Sequence, residues 1–166
     1  MTFSRLFSRI DPQLTHLDDV VRYGRARLGS QEDAEDLAME VYEALAVRPA
    51  LLAGRTDPRL YILGMARRKI ADRLRRLYRV APPLDEPAKA DPFDTWGVLW
   101  SLPEEHREVL CLRFMLGLSA QEVGEIMDRT PAAIDSLVQR AKAAFRAASD
   151  DITEEDQPCL ITSKKA

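Results

Sequence analysis

Cysteine and histidine are scarce: Cys111, Cys159, His16 and His106 are all that the 166 residues contain. Two cysteines alone make neither a disulfide framework nor a structural zinc site. The histidines lie far apart with no His or Cys beside them, so neither metal catalysis nor a histidine-based triad has a constellation to rest on. No apolar run approaches the ~20 residues that a membrane span requires. The first residues are interrupted by Arg5, Arg9 and Asp11, unlike a secretory signal. Glycine (7) and proline (10) are too few for a collagen-like or low-complexity chain. What is present, 46% hydrophobic and 31% charged residues, is the profile of a globular chain expected in the cytoplasm. Its length suits one ordinary domain or two small ones.

The formal net charge of −3 hides an uneven distribution. Residues 59–79 hold Arg59, Arg67, Arg68, Lys69, Arg73, Arg75, Arg76 and Arg79 against the single acid Asp72, a local charge of +7. Every other stretch of the chain is net negative. Such a concentration inside an acidic protein points to a local polyanion site rather than a generally basic surface. Most charge runs on amphipathic helices are solvated faces, but those mix signs and this one does not. Phosphate contacts from several of these side chains would give binding that weakens steeply with salt. A membrane-surface helix fits poorly, because no Trp or Phe anchors the segment.

Prolines divide the chain. Pro82, Pro83, Pro87 and Pro92 stand between Val80 and Asp94 with almost no large apolar residue, which reads as a linker over 80–94. From Ser149 the chain turns acidic, and residues 149–166 read as a flexible tail. Both remaining segments, 1–79 and 95–148, read as helix. Ala34, Leu37, Ala38, Val41, Tyr42 and Leu45 recur with helical spacing, leaving Asp33, Asp36, Glu40 and Glu43 as an acidic outer stripe. Leu60, Leu63, Ala66, Ile70, Leu74 and Leu77 repeat the pattern in the basic segment. An earlier helix containing Leu17, Val20, Val21 and Leu28 should stop at Gly29-Ser30.

The second half is punctuated more sharply. Pro103, Glu104 and Glu105 suit the start of a helix that places Val109, Leu110 and Phe114 inside and ends at Gly117. Ser119 and Glu122 form a capping box. After a break at Asp128-Arg129, Thr130 caps a further helix with Pro131 in its first turn and Ile134, Leu137, Val138, Ala141 and Phe145 facing inward. Two capped helices joined by a short turn make a helix-turn-helix pattern, whose second helix would enter the major groove. A plain helical hairpin has the same pattern. Trp96 and Trp100 are expected to anchor the core of this half, and Cys111 to be an inert buried thiol.

Taken together, these segments resemble the extracytoplasmic-function sigma factors of the sigma-70 family. Asp33-Ala-Glu-Asp-Leu37 with Glu40-Val-Tyr42, and the run from Leu60 to Arg76, resemble that family's region 2. Leu102-Pro-Glu-Glu-His-Arg-Glu-Val-Leu110 and Gly117-Leu-Ser-Ala-Gln-Glu-Val-Gly-Glu125 resemble its region 4. The resemblance implies an all-α fold of two small helical domains, and a subunit that directs bacterial RNA polymerase to promoters, with no cofactor and no catalytic activity of its own. It implies core-polymerase docking at Asp33, Asp36, Leu37 and Glu40. It implies minus-ten DNA contacts from Arg67, Arg68, Lys69, Asp72, Arg73 and Arg76, and minus-thirty-five contacts from Arg129, Thr130, Ala133, Ser136, Gln139 and Arg140. Its expected partners are core polymerase, promoter DNA and an anti-sigma factor, which would cover apolar rims around Leu37, Leu116 and Leu118. The turn holds Asp128 where the family commonly has glycine, and aspartate tolerates a left-handed backbone. Two other readings share much of this pattern: a helix-turn-helix regulator that needs no polymerase, and a sigma-like decoy that binds an anti-sigma protein.

Overall fold

In a computed structural model of the chain, residues 16–80 and 95–155 are described. The expected linker, beyond Val80, lies outside them. Helix α1 spans Leu17–Leu28 and stops at Gly29, whose φ of 79° lets its N–H turn back to the Arg25 carbonyl at 3.0 Å. Ser30 at once caps α2, Gln31–Val47, its Oγ accepting from the Asp33 N–H at 3.2 Å. A 3₁₀ turn at Pro49–Leu51 leads to α3, Pro58–Val80, which Asp57 caps through the Leu60 N–H. The second half comprises α4 (Thr95–Ser101), α5 (Glu104–Leu110), α6 (Ala120–Met127) and α7 (Pro131–Glu155). No strand occurs among the described residues.

Between α5 and α6 the chain widens into a π turn at Cys111–Met115 before Gly117 takes a positive φ. The Leu116 N–H then reaches back to Cys111 O at 3.0 Å and the Leu118 N–H to Leu112 O at 3.1 Å. The capping box of α6 is formed on both sides, with Ser119 N–H donating to Glu122 at 2.6 Å and Glu122 N–H to Ser119 Oγ at 3.2 Å. Asp128 closes α6 in the left-handed conformation, φ 57° and ψ 52°.

One continuous set of buried side chains runs through both halves. Leu17, Tyr23, Leu37, Ile62, Leu63 and Ile70 supply the first half, and Leu112, Leu118, Ile134 and Leu137 the second. Each fully buried aliphatic chain contributes about 1.5–3 kcal/mol by leaving water. Cys111 belongs to this core, and burial pushes its thiol up to about 12, so it stays protonated and unreactive.

Four expectations are corrected. The break expected at Ser149 is absent, since α7 continues to Glu155 with Ser149 Oγ bonded to Phe145 O at 2.8 Å; neither Gly nor Pro interrupts the chain before Pro158. Phe114 points outward, 55% exposed, because the π turn rotates it off the buried face. Leu77 is exposed as well, because α3 outruns the core beneath it. The tryptophans are half-buried at the junction with α1 rather than inside their own half: Trp96 lies under Arg25, and Trp100 lies under Arg107 and against Gly29.

Gly124 lets the helix-turn-helix turn pass over α6: a Cβ there would lie 2.5 Å from the Arg129 carbonyl oxygen. That neighbour is backbone and cannot swing away. Gly124→Ala should therefore cost about 1–3 kcal/mol, read as a lower urea midpoint with an unchanged slope.

Candidate nucleic-acid interface

Helix α3 sorts its cations by direction. Lys69 and Arg73 face α2, where both hold Glu40 (Lys69 Nζ to Oε2 at 3.1 Å), and Arg73 Nη1 also donates to the Asp33 carbonyl at 3.0 Å. Arg67 faces the second half, its Nε donating to Glu108 Oε1 at 2.9 Å. Arg75 pairs with Asp72 at 2.6 Å on the open surface, a contact worth at most about 1 kcal/mol. Arg68 and Arg76 are exposed and make no hydrogen bond or ion pair among the described residues. Of the six minus-ten candidates, these two are therefore the guanidiniums presented freely to a phosphate.

The acidic stripe on α2 is likewise divided. Asp33, Asp36 and Glu43 are exposed, whereas Glu40 is half-buried in its double ion pair. Leu37 is corrected: it is fully buried in the core and offers no side chain to a docking surface. The rims expected at Leu116 and Leu118 are buried too, at 5% and 0% exposure. Among the described residues the large apolar side chains at the surface are Val47, Leu77 and Phe114.

In the helix-turn-helix, Thr130 Oγ1 accepts from the Ala133 N–H at 3.3 Å and fixes the first turn of α7. Ser136, Gln139 and Arg140 line its exposed side with Asp135, while Ala133 is half-buried. Arg129 is exposed but pairs with Glu105 of α5.

A cluster between the halves was not anticipated from sequence. Glu108 is 4% and Arg27 4% exposed, and Tyr23 is fully buried. The Tyr23 hydroxyl and Arg67 both donate to Glu108 Oε1, Arg27 approaches it at 2.5 Å, and Arg27 also pairs with Glu104. Burial and the adjacent Glu108 hold the Tyr23 hydroxyl well above its ordinary range, so it remains a donor. Arg59 adds a second bridge, donating to Asp19 and to the Leu116 carbonyl, each at 2.7 Å. The local hint was Arg27 itself, four residues after Tyr23 on the apolar side of α1. Among the described residues no group of carboxylates, histidines and cysteines could hold a metal ion.

The α2–α3 pairing has a pH signature. Burial works to raise the Glu40 carboxyl, but hydrogen bonds from Arg73 and Lys69 outweigh it and hold it below the ordinary glutamate value. A depressed folded value stabilises the fold above the unfolded value of about 4.3 and ceases to as pH falls through the folded one. Glu40→Gln should thus cost up to about 1 kcal/mol at pH 7, an exposure-limited figure. Thermal melts should show the gap to wild type closing as pH drops below about 4.

Comparison with known proteins agrees with this arrangement. Residues 14–80 match the family model for sigma-70 region 2, and residues 98–145 match that for sigma-70 region 4. The chain is 31% identical to the ECF RNA polymerase sigma factor ShbA of Streptomyces griseus, covering 78% of this chain and 81% of that one. It is 33% identical to the ECF RNA polymerase sigma factor SigD of Mycobacterium tuberculosis, over 79% and 74%. Among solved structures, a chain of the co-crystal of the sigma factor RpoE with the anti-sigma factor NepR from Bartonella quintana superimposes with a TM-score of 0.70 at 17% identity. That match covers 91% of this chain and 99% of that one. The PhyRSL–NepR complex from Sphingomonas gives 0.58 at 23% identity, covering 90% of each chain. With capped helix-turn-helix, acidic stripe and basic helix all in place, the chain belongs to the extracytoplasmic-function sigma factors of RNA polymerase.

Proposed function

We propose that this sigma factor recruits core RNA polymerase through the exposed acids of α2 and engages promoter DNA through α3 and the α6–α7 helix-turn-helix, acting in the cytoplasm as a non-enzymatic subunit. The observation that carries the residue assignment is the opposed polarity of two helices clamped together. Glu40 ties α2 to α3 through Lys69 and Arg73, while Asp33, Asp36 and Glu43 remain exposed on α2 and Arg68 and Arg76 on α3. A rigid pair of this kind presents an acidic surface to a protein and a cationic one to a strand backbone at a fixed spacing. An anti-sigma factor is the proposed regulator, supported by the RpoE and PhyR folds that have been solved with NepR. Exposed Phe114 and Val47 are apolar surface available to such a partner.

Two experiments test the assignment. Asp33→Lys with Asp36→Lys leaves the core and the Glu40 pairs untouched, and should reduce co-purification with core polymerase at least tenfold with unchanged helicity. Arg68→Ala with Arg76→Ala should spare that assembly and slow open-complex formation at least fivefold. It should also flatten the salt dependence of strand binding by about 0.7 per lost phosphate contact. Normal assembly by the first variant, or normal melting by the second, would remove the corresponding role.

A further inference from the structure

Helix α7 and the π turn border an apolar groove of about 340 Å³. Leu99 and Leu110 form its buried lining, and Phe114, Met115 and Phe145 its more open lining. Methionine and aromatic side chains adapt to what is pressed against them, and grooves of this kind take an amphipathic helix by its apolar face. We propose that the chain supplies that helix itself: residues 3–10 dock in the groove as a short amphipathic helix that covers Phe114. The polymerase and promoter roles above do not enter into this assignment. Any other partner that uses Phe114 has to displace the segment first.

Residues 1–15 lie outside the described residues, and the match to sigma-70 region 2 begins only at residue 14. Their sequence carries Phe3, Leu6, Phe7 and Ile10 at i, i+3, i+4 and i+7. At about 100° per residue these four fall within an arc of about 100°, the width of a buried helical stripe. Arg5 and Arg9 lie about 200° and 240° from Phe3, on the opposite side. That placement suits the groove, whose rim is already cationic: Lys142 Nζ stands 4.7 Å from the Phe114 ring centroid, and Arg146 is exposed. The stripe would meet this rim while the segment's own cations turn to water. Asp11, the one acid ahead of α1, follows the stripe and offers a carboxylate to Lys142 or Arg146. Pro12 then ends the helical run.

The chain enters α1 beside the groove. The Arg59 guanidinium donates to both the Asp19 carboxylate and the Leu116 carbonyl, each at 2.7 Å. The first turn of α1 therefore lies next to the residue that follows Met115. Residues 11–15, extended, reach about 16 Å, and residues 3–10 measure about 12 Å as a helix. The other end of the chain fits less well, since Cys159, Leu160 and Ile161 are consecutive and make no helical face. A segment tethered this closely acts at an effective concentration on the order of 1 mM. A docking constant of only ~0.1 mM would then keep it engaged about nine-tenths of the time.

Trypsin tests the docking in the whole chain, because cleavage after Arg9 follows the population in which the segment is released. Initial cleavage there, read by mass spectrometry, should be about tenfold slower in the wild type than in Phe7→Asp or Phe114→Asp. Both variants should keep the helicity of the described residues. The double variant should be cut no faster than either single one, since both remove the same contact. Should Phe114→Asp fail to fold, Phe114→Ala should still release the segment at least threefold. Equal rates in the wild type and the folded variants would overturn the proposal. Release by Phe7→Asp that neither Phe114 variant reproduces would overturn it too, because the segment would then be held elsewhere. Protection that disappears on dilution would give the groove to a second copy. Faster cutting after Lys164 in Phe114→Asp, with Arg9 unchanged, would give it to residues 156–166. Either of these last results also overturns the assignment.

Discussion

A buried carboxylate organises the junction on which the rest of the arrangement depends. Glu108 sits with a fully buried tyrosine and two guanidiniums around it. An isolated carboxylate in such a place would cost several kcal/mol, and its neighbours offset that only while both halves are together. The same group therefore makes the arrangement of the two halves specific. Apolar packing alone would join the halves in any of several registers. A charge that must be matched allows one, and it ties the position of α5 to Arg27 on α1 and Arg67 on α3 at the same time.

The second organising feature is the difference between the two ion-paired faces of α3. Toward α2, Lys69 and Arg73 share Glu40 within one half of the molecule, and that junction can persist whatever the second half does. Toward α5, Arg67 is paired across the halves. One helix thus holds one clamp within the first half and one across the two halves. Arg68 and Arg76 are used by neither clamp.

Much of this was legible in the sequence. Helix boundaries were marked by chemistry that acts within a few residues: the Gly29-Ser30 stop, the Ser119–Glu122 box, the Thr130–Pro131 start. Asp128 in the left-handed region obeys the same local rules. The acidic and basic stripes and the helix-turn-helix were visible as spacing and charge. What escaped was pairing at long range. Tyr23 and Glu108 are 85 residues apart, and no periodicity links them. Leu37 shows the complementary error, since its spacing marked it as core while the family resemblance suggested a surface role, and packing settled on the first. The tryptophans were recognised as anchors but assigned to the wrong interface, because amphipathic spacing identifies a buried face without naming what covers it. The overrun of α7 past Ser149 was hidden by composition: acidic residues lower apolarity without breaking a helix.

The π turn at Cys111–Met115 has a bearing on all of these contacts. An α-helix advances about 100° per residue, so one additional residue within a turn acts as a phase offset between the helix before it and the helices after it. Helix α5 lies on the near side of that offset, and the helix-turn-helix lies on the far side. Deleting a single residue there would leave every capping box and nearly every hydrophobic side chain in the sequence. The carboxylates of α5 would nevertheless turn away from Arg27 and Arg67 relative to α7. In that sense the turn is a dial set between two faces of the same domain, and its setting decides whether the acidic face looks toward the first half or toward solvent.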